Sequence, residues 1–185
     1  MEELIKAGFI AGVADVTTTE WADELVGGTL TAGPERLDAA ASAGIPQIVS
    51  VGALDMVNFG PRESVPGRFA DRKLYVHNPN VTLMRTTPNE CRRLGEIIAG
   101  KLNRATGPTT LFLPLRGVSA LDIEGKQFFD PEADGQLFDA LRRDIGPNVS
   151  LVELDMHIND PAFADAMATQ LLTNLAGSAH AVHHA

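Results

Sequence analysis

The chain has 185 residues, of which 44% are hydrophobic and 21% charged, and its formal net charge is −9. This length and composition predict one soluble globular domain that buries roughly 70% of the surface of its unfolded chain. The negative charge argues against a general nucleic-acid-binding surface and against binding to anionic membranes. A single cysteine, Cys91, excludes an intrachain disulfide. No apolar run approaches the ~20 residues that span a bilayer, and the N-terminal segment lacks the features of a signal peptide, so we expect a cytoplasmic protein.

Short apolar runs alternate with amphipathic stretches along the chain. This alternation predicts an α/β fold of Rossmann-like type, with a doubly wound, mostly parallel sheet of about five or six strands and helices on both faces. The clearest predicted strands cover residues 12–16, 47–51, 74–77, 109–113 and 150–154. We assign residues 1–178 to a single domain and residues 179–185 to a flexible tail.

The first residues, EELIKAG, already have the pattern of a helix. Because a doubly wound domain normally starts with a strand, we expect the chain to be the downstream portion of a longer protein. Helices are next predicted over residues 20–26, opened by a capping box from Thr17 to Glu20, and over residues 34–43. Residues 53–73 have no periodicity, which predicts a long loop that serves as a lid or a partner contact.

The strongest helix start is at Thr87, whose sequence TPNE is typical of a capping box with proline in the first turn. This helix is predicted to run to about Gly100. A further helix is predicted over residues 134–143. Asp160 opens the last predicted helix, which ends near Gly177.

Polar side chains follow the predicted strands, at the points where the strands end. In an open α/β sheet the ligand lies outside the carboxyl ends of the strands, because loops and helix N-termini present free donors there. The candidate ligand-binding residues are therefore Thr17, Thr18, Thr19, Glu20, Gly52, Asp55, Asn58, His77, Asn78, Arg85, Thr86, Arg116 and Gly117.

Each of these clusters also has a structural interpretation. The threonines after the first strand can hold a phosphate or carboxylate at a helix N-terminus, or they can only cap the helix. Arg85 and Arg116 are candidate clamps for such an anion, and the alternative for each is a surface ion pair. Asp55 and Asn58 stand among large apolar residues, which is typical of a pocket wall or of a buried interface. The chain has no Walker sequence and no GxGxxG fingerprint, so nucleotide binding does not follow from a motif.

Asp155 and His157 form the candidate catalytic pair. Because strand residues alternate, both side chains lie on one face if the last strand continues through them. The carboxylate can then orient the imidazole for acid/base catalysis, or both groups can ligate a metal ion, or the histidine can be a hydrogen-bonded structural group. We assign no metal ligands, and we expect Cys91 to be a partly buried, inert thiol.

Six segments carry a family resemblance: DVTTTEWADELVGG, IVSVGALDMVNFGP, HNPNVTLMRTTPNE, LPLRGVSALD, FFDPEADGQLFDALR and HINDPAFADAM. Together they resemble the C-terminal half of the tomato mosaic virus resistance protein-like (Tm-one-like) ATP-binding family, long classed as uncharacterised. The resemblance implies two Rossmann-like domains, of which the N-terminal one and a glycine-rich stretch are absent from this sequence. It also implies ATP as a cofactor, at a site to which the missing domain contributes. Inhibition of viral RNA replication, which the plant member performs through a replication protein, is not carried over, because partner contacts lie on variable surfaces.

We expect a ligand-binding domain of a cytoplasmic enzyme that acts on a small anionic metabolite. The residues expected to hold the anion are Thr18, Thr19, Arg85 and Arg116, with the candidate catalytic pair in acid/base roles. The alternative is a non-catalytic nucleotide-binding or protein-interaction module that works with the missing N-terminal domain or with a companion chain. The apolar loop around Met56 and Phe59 predicts a homodimer or a larger assembly.

Overall fold

A computed structural model describes residues 1–182 of the chain, with side chains up to residue 178. The helices are α1 (Glu2–Lys6), α2 (Glu20–Val26), α3 (Asp38–Ala43), α4 (Pro88–Leu102), α5 (Pro131–Asp144) and α6 (Pro161–Val182). The strands are β1 (Val13–Thr17), β2 (Gln47–Gly52), β3 (Met56–Phe59), β4 (Leu74–Asn78), β5 (Val81–Arg85), β6 (Thr109–Pro114) and β7 (Val149–Leu154).

Four strands form a parallel sheet in the order β1-β2-β6-β7. Successive residues of β2 point to opposite faces of this sheet. Ile48 lies in one apolar cluster with Phe163 and Met167 of α6, whereas Val49 lies in the larger cluster with residues of α4 and α5. Helices therefore cover both faces, which confirms the predicted α/β fold and is compatible with a Rossmann-like arrangement. The predicted count of five or six strands is too high for this sheet.

A second, antiparallel sheet has the order β3-β5-β4. The prediction that residues 74–77 belong to the parallel sheet is wrong, because β4 pairs with β5 in a hairpin. Residues 53–73, predicted as a loop, contain β3 and two short 3-10 turns. The rings of Phe59 and Phe69 lie 5.6 Å apart, and both residues are buried. Apolar burial thus fixes a segment that shows no periodicity in the sequence.

Capping-box sequences were predicted at the starts of α4 and α2, but the capping hydrogen bonds form at only one of them. At α4 the predicted capping box is present: the Glu90 backbone N–H donates to the Thr87 hydroxyl, and the Thr87 N–H donates to the Glu90 carboxylate. At α2 the predicted capping box is absent, since Thr19 is the N-cap and makes no side-chain capping bond. The hydroxyl of Thr18 instead donates to the carbonyl of Ser50 on β2, at 3.2 Å.

Two other helix starts differ from the predicted ones. α3 begins at Asp38 rather than at residue 34. α5 begins at Pro131 rather than at residue 134, because Asp130 accepts a hydrogen bond from the Ala133 N–H and caps the helix.

The last helix, α6, begins directly after Asp160 as predicted, but it extends beyond Gly177 to Val182. Residues 183–185 of the predicted tail lie outside the described residues. Within residues 1–182, no helix combines the length and the apolar character that a membrane crossing requires.

Candidate functional site

The carboxyl ends of β1, β2, β6 and β7 lie along one edge of the parallel sheet, because these strands are parallel neighbours. The packing is tight at the middle of this edge. A Cβ atom on Gly52 would lie 2.5 Å from the Val16 carbonyl oxygen and 2.7 Å from Cδ1 of Ile158. Ile158, which follows β7, therefore covers the end of β2 and divides the edge into two polar regions. One lies beside β1, and the other beside β6 and β7.

The region beside β6 and β7 is a cleft, called the Arg116 cleft below. It consists of two cavities of about 290 Å³ and 450 Å³ that share Arg116 and Phe129 in their walls. The walls of the cleft also include Gly117, Glu124, Asp134, His157 and Asp160. The structure thus brings together Arg116, Gly117 and His157 from the predicted set.

Arg116 is the exposed cation of this cleft. Its side chain is 64% exposed and forms a bidentate ion pair with Asp155, which is 76% exposed. Nε and Nη2 of Arg116 each lie 2.8 Å from a carboxylate oxygen of Asp155. These hydrogen bonds, together with the guanidinium charge, lower the pKa of Asp155. An ion pair this exposed to solvent contributes little to stability, so Arg116 can exchange Asp155 for another anion.

His157 is buried, and both of its ring nitrogens have partners. Nε2 lies 2.9 Å from the carbonyl oxygen of Ser119, and Nδ1 accepts a hydrogen bond from the Asn159 N–H at 3.1 Å. These partners fit a neutral ring with its proton on Nε2, because a carbonyl oxygen only accepts. The carboxylate of Asp155 pairs with Arg116 rather than with His157, so the predicted acid/base pair is not joined by a hydrogen bond in this structure.

Gly117 shapes the turn that leaves β6. Its φ is +130°, and a Cβ atom there would lie 1.9 Å from the carbonyl oxygen of Asp122. The Asp122 carboxylate accepts a hydrogen bond from the Val118 N–H at 2.9 Å. This glycine is therefore required for the compact turn beneath the cleft.

A buried charged cluster lies behind the cleft and is called the Arg85 cluster below. Its members are Arg85, Asp55, Asp122 and Asp134, with exposed fractions of 3%, 1%, 0% and 8%. Nη2 of Arg85 lies 2.6 Å from Oδ1 of Asp134 and 3.8 Å from Oδ1 of Asp122. Oδ2 of Asp55 accepts a hydrogen bond of 2.6 Å from the hydroxyl of Ser119. The predicted residues Arg85 and Asp55 therefore meet in the interior and not at the cleft surface.

Burial changes the proton affinity of this interior. It raises the pKa of Asp134 to about 8 and that of Asp55 to about 6, against the opposing effect of the Arg85 charge. Burial also raises the pKa of the neighbouring Cys91 thiol to about 11. Thr86, from the predicted set, is buried as well, and its hydroxyl donates to the Leu54 carbonyl at 2.9 Å. Cys91 is thus a protonated thiol at neutral pH, in agreement with the predicted inert role.

The polar region beside β1 is centred on Arg36. Its guanidinium pairs with Asp15 through hydrogen bonds of 2.6 and 2.8 Å, and both residues are buried. Glu2 and Glu20 lie 3.3 and 3.8 Å from the same guanidinium. Thr17 and Glu20, from the predicted set, line a cavity of about 280 Å³ here. The region already holds three carboxylates around Arg36, so this guanidinium is not free for an anionic ligand.

The other predicted residues lie elsewhere. Asn58 is buried, and its backbone N–H donates to Oδ1 of Asp23 at 2.6 Å, which ties β3 to α2. Thr19, at the start of α2, accepts a long bond of 3.4 Å from the Asn58 amide. His77 and Asn78 are exposed at the far end of β4, in the antiparallel sheet. Both residues belong to the antiparallel sheet and not to the parallel sheet formed by β1, β2, β6 and β7.

Several residues of these regions were not among the predicted site residues. Phe129 and Asp134 line the cleft although they follow β6 by more than ten residues, and no local pattern marks them. Asp15 could have been found, because it is a charged residue inside the apolar run VADV. A charge in the middle of a strand needs a buried partner, which here is Arg36.

The fold and this cleft define an α/β domain, compatible with a Rossmann-like fold, that has a polar cleft at the carboxyl edge of its parallel sheet. The chain belongs to the UPF0261 family: residues 1–175 match the "Uncharacterised protein family (UPF0261) C-terminal domain". The family resemblance inferred from the six sequence segments is confirmed at this level.

Three curated relatives illustrate the match. A UPF0261 protein of Clostridium tetani is 56% identical over 173 residues, which cover 93% of this chain and 43% of that protein. A UPF0261 protein of Mesorhizobium japonicum is 52% identical over 173 residues, covering 92% of this chain and 44% of that protein. The ToMV resistance protein Tm-1(GCR237) of Solanum lycopersicum is 47% identical over 174 residues, covering 93% of this chain and 23% of that protein. The chain spans less than half the length of these relatives.

Proposed function

We propose that the chain is the ligand-binding domain of a cytoplasmic enzyme that acts on a small anionic metabolite, and that the anion binds in the Arg116 cleft. The observation that carries this proposal is the position of Arg116. It is an exposed guanidinium at the carboxyl edge of a parallel sheet, and its partner is also an exposed carboxylate. Arg85, the other predicted clamp, is buried and already paired, so Arg116 carries the proposal alone.

The charges around Arg116 limit the kind of ligand that fits. Glu124 and Asp160 line the same cleft, and both are acidic. We therefore expect a ligand with one anionic group for Arg116, while the rest of the ligand is neutral or donates hydrogen bonds. Phe129, which is 39% exposed, offers a ring face for an apolar or planar part.

ATP, which the family resemblance implies, fits this cleft in part. Arg116 can pair with one phosphate in bidentate fashion, and a base can lie against Phe129. The acidic residues Glu124 and Asp160 oppose the remaining phosphate charge, so we expect ATP to bind only as its complex with a divalent cation. ATP and magnesium are accordingly tested together with inorganic phosphate.

The test is calorimetric titration of the chain with inorganic phosphate, with a panel of mono- and dicarboxylates, and with ATP plus magnesium. Arg116→Met should weaken binding of the preferred anion several-fold, because it removes the guanidinium that pairs with the anion. Arg143→Met is the matched control, since Arg143 is 55% exposed and paired with Asp144 on a distant helix end. The proposal fails if no anion binds, or if both variants bind equally well.

A second candidate function, a protein-interaction module, is favoured by an apolar surface at α1. Met1, Leu4 and Phe9 are 53%, 52% and 79% exposed. Leu4 and Met1 are three residues apart on one helical face, and the Phe9 N–H donates to the Leu4 carbonyl at 3.0 Å. The family domain matched here is a C-terminal one, and more than half of each relative lies outside it. We propose that the N-terminal part of such a longer protein covers this surface.

A chimera tests this second candidate. The N-terminal part of the Clostridium tetani relative is joined ahead of this chain, and amide hydrogen exchange of residues 2–9 is compared with that of the chain alone. Protection should rise in the chimera, and the pair Leu4→Ser and Phe9→Ser should abolish the increase. Leu172→Ser, at a position 68% exposed on α6, is the control. Unchanged protection of residues 2–9 in the chimera would show that the N-terminal part does not dock on this surface. If the chain alone dimerises through the same residues, the surface instead binds a second copy of the chain.

A further inference from the structure

The Arg85 cluster contains more acidic groups than one arginine can balance. Three aspartates, Asp55, Asp122 and Asp134, surround a single guanidinium, and all four residues are at least nine-tenths buried. With every carboxyl group ionised, the interior would carry a net charge of −2. Uncompensated buried charge is expensive, because water and counter-ions screen it poorly.

Two carboxylate oxygens of this cluster lack hydrogen-bond donors within residues 1–182. They are Oδ1 of Asp55 and Oδ1 of Asp122, and the Asp122 oxygen is 3.8 Å from the nearest Arg85 nitrogen. In the same part of the chain no three acidic, histidine or cysteine side chains are arranged to hold a metal ion. A proton on one of the carboxyl groups both reduces the charge and turns one oxygen into a donor. One bound proton therefore both lowers the excess negative charge and supplies a missing hydrogen-bond donor.

The cluster also anchors the loop that forms one wall of the Arg116 cleft, residues 117–130, called the cleft loop below. Nε of Arg85 donates to the Phe128 carbonyl at 2.7 Å, and Nη2 donates to the Asp130 carbonyl at 3.4 Å. Asp55 holds the loop through the Ser119 hydroxyl. The loop supplies Phe129 to both cavities of the cleft.

We propose that a proton bound within the Arg85 cluster holds the cleft loop in place, so that loss of this proton loosens the loop and weakens ligand binding in the Arg116 cleft. The groups that face one another are Arg85 from β5, Asp55 from the segment after β2, Asp122 from the cleft loop, Asp134 from α5 and Cys91 from α4. The part of this inference that concerns ligand binding rests on the proposed function, whereas the part that concerns the loop does not.

The direction of the pH effect follows from the proton affinities. Burial raises the pKa of Asp134 to about 8 and that of Asp55 to about 6. A loop that opens to water returns these groups to ordinary values near 4. The closed loop therefore binds more protons than the open one between about pH 4 and pH 8, and opening becomes easier as the pH rises through this range. One proton corresponds to a change of about tenfold in the opening equilibrium for each pH unit.

The test is hydrogen exchange of residues 117–130 in the ligand-free chain, corrected for the intrinsic pH dependence of exchange. Between about pH 7 and pH 9 the opening equilibrium should increase about tenfold and then level off at higher pH. Asp134→Asn, which keeps the shape of the carboxyl group without its titration, should remove this increase. Asp155→Asn, an exposed carboxylate at the cleft, is the control and should keep it.

Each outcome decides the inference. Loop exchange that does not respond to pH overturns it, and so does an unchanged response in Asp134→Asn. If Asp134→Asn does not fold, Asp55→Asn is used, and it should reduce the response below about pH 7. Because no ligand is present in this experiment, its result is independent of whether an anion binds at Arg116. Phosphate titration at two pH values then tests the link to the cleft.

Discussion

The Asp155 carboxylate binds the Arg116 guanidinium, which we propose as the ligand-binding group. Asp155 therefore competes with the ligand for Arg116. The Asp155→Asn variant leaves Arg116 without its bidentate partner. Because this exposed pair is weak, binding of inorganic phosphate should become only about two- to fivefold tighter, and the gain should shrink with salt. Calorimetric titration at low ionic strength measures this change. Asp139→Asn removes the 70% exposed partner of Arg142 and should have no effect. Weaker binding in Asp155→Asn would instead show that Asp155 itself contacts the ligand.

Gly117 and Gly100 provide a matched pair of glycine positions. Gly117→Ala forces a Cβ atom against the Asp122 carbonyl at a φ of +130°, so it should destabilise the fold by about 2–4 kcal/mol. Gly100 lies inside α4, and a Cβ atom there meets nothing within 4 Å. Gly100→Ala should therefore stabilise the chain by about 0.5–1 kcal/mol. Urea denaturation of both variants measures these changes, and equal effects would contradict the strained turn.

At the scale of the element, α4 depends on its capping box. Thr87→Ala removes the acceptor for the Glu90 N–H and should cost about 1 kcal/mol, because that backbone donor is left partly unsatisfied. Thr19→Ala at the start of α2 should cost less than about 0.5 kcal/mol, because Thr19 makes no capping bond. The free energy of unfolding in urea distinguishes the two. A larger loss at Thr19 would show that α2 uses its threonines as the sequence suggests.

The elements that the sequence predicts well are those whose signals are local. The start of α4 at Thr87 and the strand β2 could be predicted, because capping and apolar runs are read from neighbouring residues. β4 was placed in the wrong sheet, since a strand's partner is set by contacts far along the chain and not by its own pattern. β3 was missed for a related reason: it is only four residues long, in a segment rich in glycine and proline.

At the scale of the whole molecule, the sequence predicts which residues lie near strand ends. It does not predict which of these residues are exposed to solvent. Arg85 and Arg116 both precede or follow strands and look equivalent as clamps. Arg85 is 3% exposed because it packs against Asp134 of α5 and the Phe128 carbonyl, whereas the side chain of Arg116, two residues after β6, is 64% exposed. Burial of this kind depends on how sheets and helices stack. A single sequence therefore predicts which residues end a strand better than which of those residues are exposed.

Two sets of acidic groups give the stability of the whole chain opposite pH dependences. Arg116 and Arg143 lower the pKa values of the exposed Asp155 and Asp144, so this small contribution is lost as the pH falls below about 4. Burial raises the pKa values of Asp55 and Asp134, so their contribution is present at acidic pH and is lost as the pH rises through about 6 and 8. Stability should therefore be greatest at mildly acidic pH. The urea midpoint is expected to be higher at about pH 5 than at about pH 9.

Added salt distinguishes the contribution of the exposed aspartates from that of the buried ones. Exposed ion pairs are screened by added salt, whereas the Arg85 cluster is not, because it is buried. The decline in urea midpoint between about pH 6 and pH 9 should therefore persist at high ionic strength and should be reduced in Asp134→Asn. If added salt removes the decline in urea midpoint, the decline comes from repulsion among surface carboxylates of this chain, whose net charge is −9. The buried proton would then no longer be needed to explain the pH dependence.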